Sequence, residues 1–156
     1  MQKAADVTSD GREEFSLALD DQLCFALYAA SRAVTQRYRP LLEGLDLTYP
    51  QYLVMLVLWE HGAAAIKEIG AALQLDYGTL TPLIKRLESA GLVRRERLAE
   101  DERTVRVVLT ERGADLRDRA RGIPTAISAA MGLSPEEFDE TMRLLRRLTT
   151  NVAASV

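Results

Sequence analysis

Among side chains able to carry nucleophilic or redox chemistry, the sequence offers one cysteine, Cys24, and one histidine, His61. One thiol cannot close a disulfide within the chain, and one Cys with one His is too few for the Cys/His sets that hold zinc. No metal and no cofactor is expected. There is no Ser/His/Asp set and no Gly-rich phosphate loop, and His61 beside Gly62 reads as a helix end rather than a base. Catalytic residues are therefore not expected, and a cysteine peroxidase is the one enzyme reading that the lone thiol leaves open. Cys24 itself admits two readings. It can be a small buried hydrophobe. It can also be reactive, because Asp20 and Asp21 look like the N-cap and first turn of a helix that starts beside it. A thiol at a helix N-terminus meets partial positive charge that favours thiolate, the species peroxides oxidise, whereas the two aspartates act in the opposite sense. The sequence does not set that balance.

A second chemistry, binding to a polyanion, follows from the arginines. The formal net charge is −3, which alone argues against a nucleic-acid partner. Its distribution argues for one. Residues 1–24 carry Lys3 and Arg12 against Asp6, Asp10, Glu13, Glu14, Asp20 and Asp21, while Tyr77 to Arg97 carries Lys85, Arg86, Arg94, Arg95 and Arg97 against Glu88 and Glu96.

The elements that must position these residues are mostly helical. With 156 residues, 47% hydrophobic and 28% charged, the chain has the composition of a soluble domain. Its longest apolar run, Tyr52 to Trp59, falls well short of the roughly 18 residues a membrane span needs. The N-terminus has no apolar core for a signal peptide, so a cytoplasmic location without membrane contact is expected. Residues 1–15 read as a flexible acidic tail, and 16–156 as one domain. Leu23, Leu27, Ala30, Val34, Tyr38 and Leu41 recur at helical spacing up to Gly44. Thr48, Pro50 and Gln51 open a second, almost wholly apolar helix that stops at Gly62 and should be buried nearly all round. Ile66–Leu73 and a segment capped by Asp76 and ended by Gly91 follow as two short helices. Leu92–Arg97 and Thr104–Leu109 alternate apolar and charged residues as a β-hairpin. Leu116, Ala120, Ile123, Ile127 and Met131 mark a fifth helix, kinked at Gly122 and Pro124. Ser134, Pro135 and Glu137 cap a last one with Phe138, Met142, Leu145, Leu148 and Val152 on one face. The expected fold is mainly α with a small β-hairpin wing: four helices, a hairpin, two helices.

A short helix, a tight turn, a longer helix and a basic hairpin form a winged helix-turn-helix. In this reading Leu80, Leu83, Ile84 and Leu87 face the core, while Asp76, Tyr77, Thr79, Thr81, Pro82, Lys85 and Arg86 sit at the surface that enters the major groove. Hydroxyls there can bond phosphates or base edges, and Arg86 can grip a guanine with two donors. The hairpin adds Arg94, Arg95, Arg97, Arg103 and Arg106. Arg103 is placed to enter the minor groove, with Asp101 pairing to it and fixing the tip.

The stretch IKEIGAALQLDYGTLTPLIKRLESAGLVRRERLAEDERTVRVVLTERG, which starts at Ile66, resembles the MarR family of winged-helix regulators, above all in LIKRLESAGLVRR and AEDERTVRVVLTERG. The resemblance implies a homodimer formed through residues 16–47 and 110–156, a DNA-binding lobe over 48–109, a pseudopalindromic double-stranded operator and repression of transcription. The segment LDDQLCFALYAASRAVTQRYRPLLEGLDLTYPQYLVMLVLWE is similar to the organic-hydroperoxide-resistance branch of that family, of the single-cysteine type. In that branch tyrosine hydroxyls hold a reactive cysteine. Matching the motif places the cysteine at Cys24 and the tyrosines at Tyr38 and Tyr49, with Tyr28 nearby.

Helix geometry adds a constraint of its own. Cys24 and Tyr38 are 14 positions apart, so on one continuous helix they would share a face yet lie about 21 Å from each other. A Tyr38 hydroxyl that reaches the sulfur must come from a second copy. The resemblance further implies operator release when an organic hydroperoxide oxidises Cys24. Gly122 to Pro135 holds no second thiol, so a mixed disulfide with a low-molecular-weight thiol, or over-oxidation, is expected rather than an intersubunit disulfide. The alternative within the family is a repressor released by a small aromatic ligand, which would not need Cys24.

Overall fold

The structure, a computed structural model, describes residues 16–99 and 101–156, and at Asp101 and Glu102 the backbone alone. The expected acidic tail over 1–15 lies outside the described residues. The chain divides into two units, residues up to Gln36 and Arg37–Val156.

In the first unit a 3-10 turn, Leu19–Asp21, precedes helix α1, Leu23–Glu43, which runs on into the second unit. Asp20 and Asp21 belong to that turn and are not the N-cap and first turn of α1, which carries no acidic residue in its own first turn. The reason is local. The Gln22 amide folds back to donate to the carbonyls of Ser16 (2.6 Å) and Ala18 (3.2 Å), and the helix begins after it, with Ala26 N–H donating to Gln22 O.

In the second unit, helix α2 (Tyr49–His61) opens on Thr48 with both hydrogen bonds of a capping box and proline in its first turn. It buries Tyr52, Val54, Met55, Leu58 and Trp59. Leu56 is 40% exposed, so the burial is less than all-round. Gly62, at φ +74°, ends the helix. Beyond it lies a strand absent from the expected order, β1 (Ala63–Ala65), three alanines that show no alternation to read. It joins the hairpin β2 (Val93–Leu98) and β3 (Asp101–Leu109) in an antiparallel sheet of order β1-β3-β2, with Ala64 opposite Val107 and Arg95 opposite Val107 from the other side.

Helices α3 (Ile66–Leu73) and α4 (Tyr77–Ser89) make the bihelical unit, with Gln74 in the left-handed region at the turn. Leu80, Leu83, Ile84 and Leu87 of α4 are buried as the spacing requires. The helix ends in a Schellman motif: Gly91 N–H donates to Glu88 O and Leu92 N–H to Leu87 O, with Gly91 at φ +74°. The fifth helix is not kinked but broken into α5 (Glu111–Ala120) and α6 (Ile123–Met131), since Gly122 caps the second piece and Pro124 opens it. Helix α7 (Pro135–Ala153) starts from the expected Ser134 capping box and has no buried residue in this single chain.

Candidate functional site

Cys24 is the second residue of α1 and is exposed. Its backbone N–H is among the first four of the helix, which have no partner in the preceding turn. Leu23 and Phe25 on either side are 62% and 41% exposed. Tyr28, one turn further on and therefore on the same face, is 60% exposed, and the Arg32 guanidinium lies 5.5 Å from its ring centre. In this chain Cys24 is an accessible thiol in an apolar surface, not a buried hydrophobe.

Tyr38 and Tyr49 come together in the second unit, with ring centres 4.6 Å apart. They are joined by a residue that sequence reading placed only in the apolar run: Tyr52, 5.7 Å from Tyr38 and 6.5 Å from Tyr49. The signal for it was its three-residue spacing from Tyr49, which puts both rings on one face of α2. Tyr52 in turn meets Trp59 edge-on at 6.2 Å. Burial, with the neighbouring Tyr49 and Tyr52 adding to it, pushes the Tyr38 phenol up to about 12, and burial raises Tyr49 and Tyr52 as well. All three hydroxyls therefore stay protonated at neutral pH and can donate hydrogen bonds to an anion.

Around α4 the predicted groove-facing residues divide by what they already hold. The Asp76 carboxylate accepts from Thr79 N–H (2.8 Å) and Thr79 Oγ1 (2.9 Å), which lowers its pKa, and Thr81 Oγ1 donates to Tyr77 O at 2.8 Å. These hydroxyls and this carboxylate cap and stiffen the helix. Tyr77 (65% exposed), Pro82, Lys85 and Arg86 stand on its solvent side, and among the described residues neither Lys85 nor Arg86 forms an ion pair.

In the wing, Arg95 is tied to the recognition unit. Its backbone N–H donates to one Glu88 oxygen (3.1 Å) and its Nε to the other (2.8 Å), which holds the Glu88 carboxyl below its ordinary range. Arg94 pairs with Glu96 at 2.7 Å. Arg97 and Arg106 are exposed and form no ion pair among the described residues, and Arg103 is exposed near the tip. The expected Asp101–Arg103 pair lies outside the described residues. The wing's root is fixed by Thr110, whose hydroxyl donates to Gly91 O (2.6 Å) and accepts from Gly113 N–H (3.1 Å).

A model of the family described as transcriptional regulator SarA/Rot matches residues 36–119. The organic hydroperoxide resistance transcriptional regulator of Bacillus subtilis (strain 168) is 48% identical over 134 residues, 86% of this chain and 89% of the relative. Among solved structures, reduced AbfR bound to DNA is 38% identical, covers 87% of this chain and 93% of its own, and superposes with a TM-score of 0.74. The disulfide-formed AbfR, also 38% identical and covering 87% and 90%, gives 0.59. AbfR is a protein of Staphylococcus epidermidis.

Proposed function

The chain belongs to the MarR family of winged-helix transcriptional regulators, and from that premise we propose that it is a redox-sensing repressor. In this reading a homodimer holds a pseudopalindromic operator while Cys24 is reduced and lets go when an organic hydroperoxide oxidises Cys24. The observation that carries it is the chain's one cysteine, exposed in the first turn of α1 and flanked by the exposed apolar side chains of Leu23 and Phe25. An apolar surround favours a peroxide with an organic tail.

Dimerisation through both ends of the chain is supported by where the exposed apolar residues fall. Among the described residues, Leu17, Leu19, Leu23, Phe25 and Tyr28 cluster near the start, and Met131, Leu133, Phe138, Leu144, Leu145, Val152 and Val156 near the end, with only Leu56, Tyr77 and Leu98 between. Such concentrations mark surfaces that another chain covers. A second copy also meets the helix-length constraint: its neutral Tyr38 and Tyr49 hydroxyls would donate to the thiolate of the first.

The Cys24 thiolate attacks the O–O bond, sulfur takes one oxygen as a sulfenic acid, and the alkoxide leaves and is protonated to the alcohol. A low-molecular-weight thiol condenses with the sulfenic acid, water leaves, and a mixed disulfide remains. Its bulk breaks the hydrogen bonds around the sulfur and moves the two recognition helices away from groove positions about 34 Å apart. On the DNA side, Tyr77, Pro82, Lys85 and Arg86 would meet the major groove, and Arg97, Arg103 and Arg106 the flanking backbone and minor groove, with Asp76, Thr79, Thr81, Arg94 and Arg95 holding those elements in shape.

A repressor released by an aromatic ligand would use an apolar cleft such as the one of about 430 Å³ lined by Ile66, Gly70, Ala71, Leu75, Tyr77 and Leu80, and its release would not need Cys24. The decisive experiment is a gel shift with the operator, with and without an organic hydroperoxide plus thiol. Wild type should release, and Cys24→Ser should bind and stay bound. Undiminished release by Cys24→Ser would contradict the sensor.

A further inference from the structure

We propose that Trp59 is the positioning residue through which a disturbance of the tyrosine cluster reaches the recognition helix and the wing, a step that rests on the sensing function above. The links are continuous and short. Tyr38, which the sensing reading places against the sulfur of a second copy, packs on Tyr52 at 5.7 Å, and Tyr52 packs edge-on against Trp59 at 6.2 Å. Trp59 is 8% exposed, and its Nε1–H donates to Gly113 O at 2.8 Å, across 54 residues of sequence. From Gly113 the connection is again by hydrogen bonds: its N–H donates to Thr110 Oγ1, and that hydroxyl donates to Gly91 O at the end of α4. Thr110 N–H also donates to Leu92 O at the head of β2.

The Gly113 junction transmits rather than absorbs movement. A Cβ at Gly113 would lie 2.0 Å from Leu92 O, so α5 and the hairpin root are already in backbone contact with no slack. Close-packed interiors of this kind shift between discrete arrangements instead of deforming gradually. A displaced tyrosine cluster thus pushes Trp59, Trp59 carries Gly113, and Gly113 moves the end of α4 and the start of the wing together.

Trp59 is the chain's one tryptophan, which makes the relay directly observable. In the DNA-free protein, converting Cys24 to its mixed disulfide should shift the tryptophan emission of wild type and leave that of Cys24→Ser unchanged. In operator binding, Trp59→Phe keeps a ring and deletes the donor, and Thr110→Val deletes both hydroxyl bonds. Either variant should oxidise at Cys24 as fast as wild type by mass spectrometry, yet its ratio of oxidised to reduced operator Kd should fall at least threefold. If one variant fails to fold, the other variant and the emission experiment still decide. An emission unchanged by oxidation while the operator is released, or an undiminished Kd ratio in the folded variants, overturns the relay alone. A wild type that keeps its operator on oxidation overturns the sensing function and the relay with it.

Discussion

Gly113→Ala sets two effects of opposite sign against each other. Gly113 lies within α5, where alanine is the better helix former by about 1 kcal/mol. The added methyl, however, would sit 2.0 Å from Leu92 O, 2.9 Å from Leu92 C and 3.3 Å from Leu109 Cδ2. Two of these three atoms are backbone and cannot rotate away. Reaching ordinary carbon contact requires α5 and the hairpin root to part by roughly 1.5 Å. That movement strains the Thr110 bridge to Gly91 and withdraws the acceptor of the buried Trp59 N–H. Overpacking costs about 1–3 kcal/mol, and a buried donor left unmet a similar amount. Sterics therefore outweigh propensity, for a net loss of about 1–5 kcal/mol. Urea unfolding, compared at one fixed protein concentration, measures this. Gly122→Ala is the control, since nothing lies within 4 Å of a Cβ there and φ is −79°. It should change stability by less than about 1 kcal/mol. A Gly113→Ala protein as stable as wild type would refute the argument.

Arg103→Ala should weaken operator binding and lower the slope of log affinity against log salt by about one unit; an unchanged slope would remove Arg103 from the DNA contacts. Glu88→Gln should cost up to about 1 kcal/mol at neutral pH, as expected of an exposed pair with Arg95. Because the folded carboxyl titrates below its ordinary 4.5, the ionised form is favoured in the folded protein. The difference from wild type should thus be full above that value and vanish as the pH falls through the lower folded one. Tyr38, raised to about 12 from 10.0, has the opposite sense: the folded state keeps the proton longer, so its contribution is complete below pH 10 and is lost as the pH rises towards 12. Ultraviolet titration should show a late-ionising phenol that Tyr38→Phe removes, and an unaltered titration curve would contradict the packing of the cluster.

Much of this protein was legible in one dimension because the signals are local. Thr48, Asp76, Ser134 and Gly91 punctuate helices through bonds to residues within a few positions of themselves, and the buried face of α4 follows from its 3.6-residue period. Cys24 as the sole thiol, the helix-turn-helix and the basic hairpin needed nothing more. Local signals also compete with one another. Asp20 and Asp21 are good caps by type, but the Gln22 amide took the preceding carbonyls first. Gly122 and Pro124 together end one helix and begin another. Three alanines carry no pattern, so β1 exists only because β3 offers its free edge.

What tertiary structure decided are the meetings of residues far apart in sequence. Tyr52 becomes part of a tyrosine cluster only when α2 packs beside the end of α1, and Gly113 becomes irreplaceable only when Leu92 O is pressed against it. Arg95 reads in the sequence as one more free cation for DNA, but Glu88 claims it across the root of the wing. Charge and spacing along a chain determine which groups are available. Only the folded arrangement determines which of them are already engaged with each other, because that depends on distances no local interaction sets.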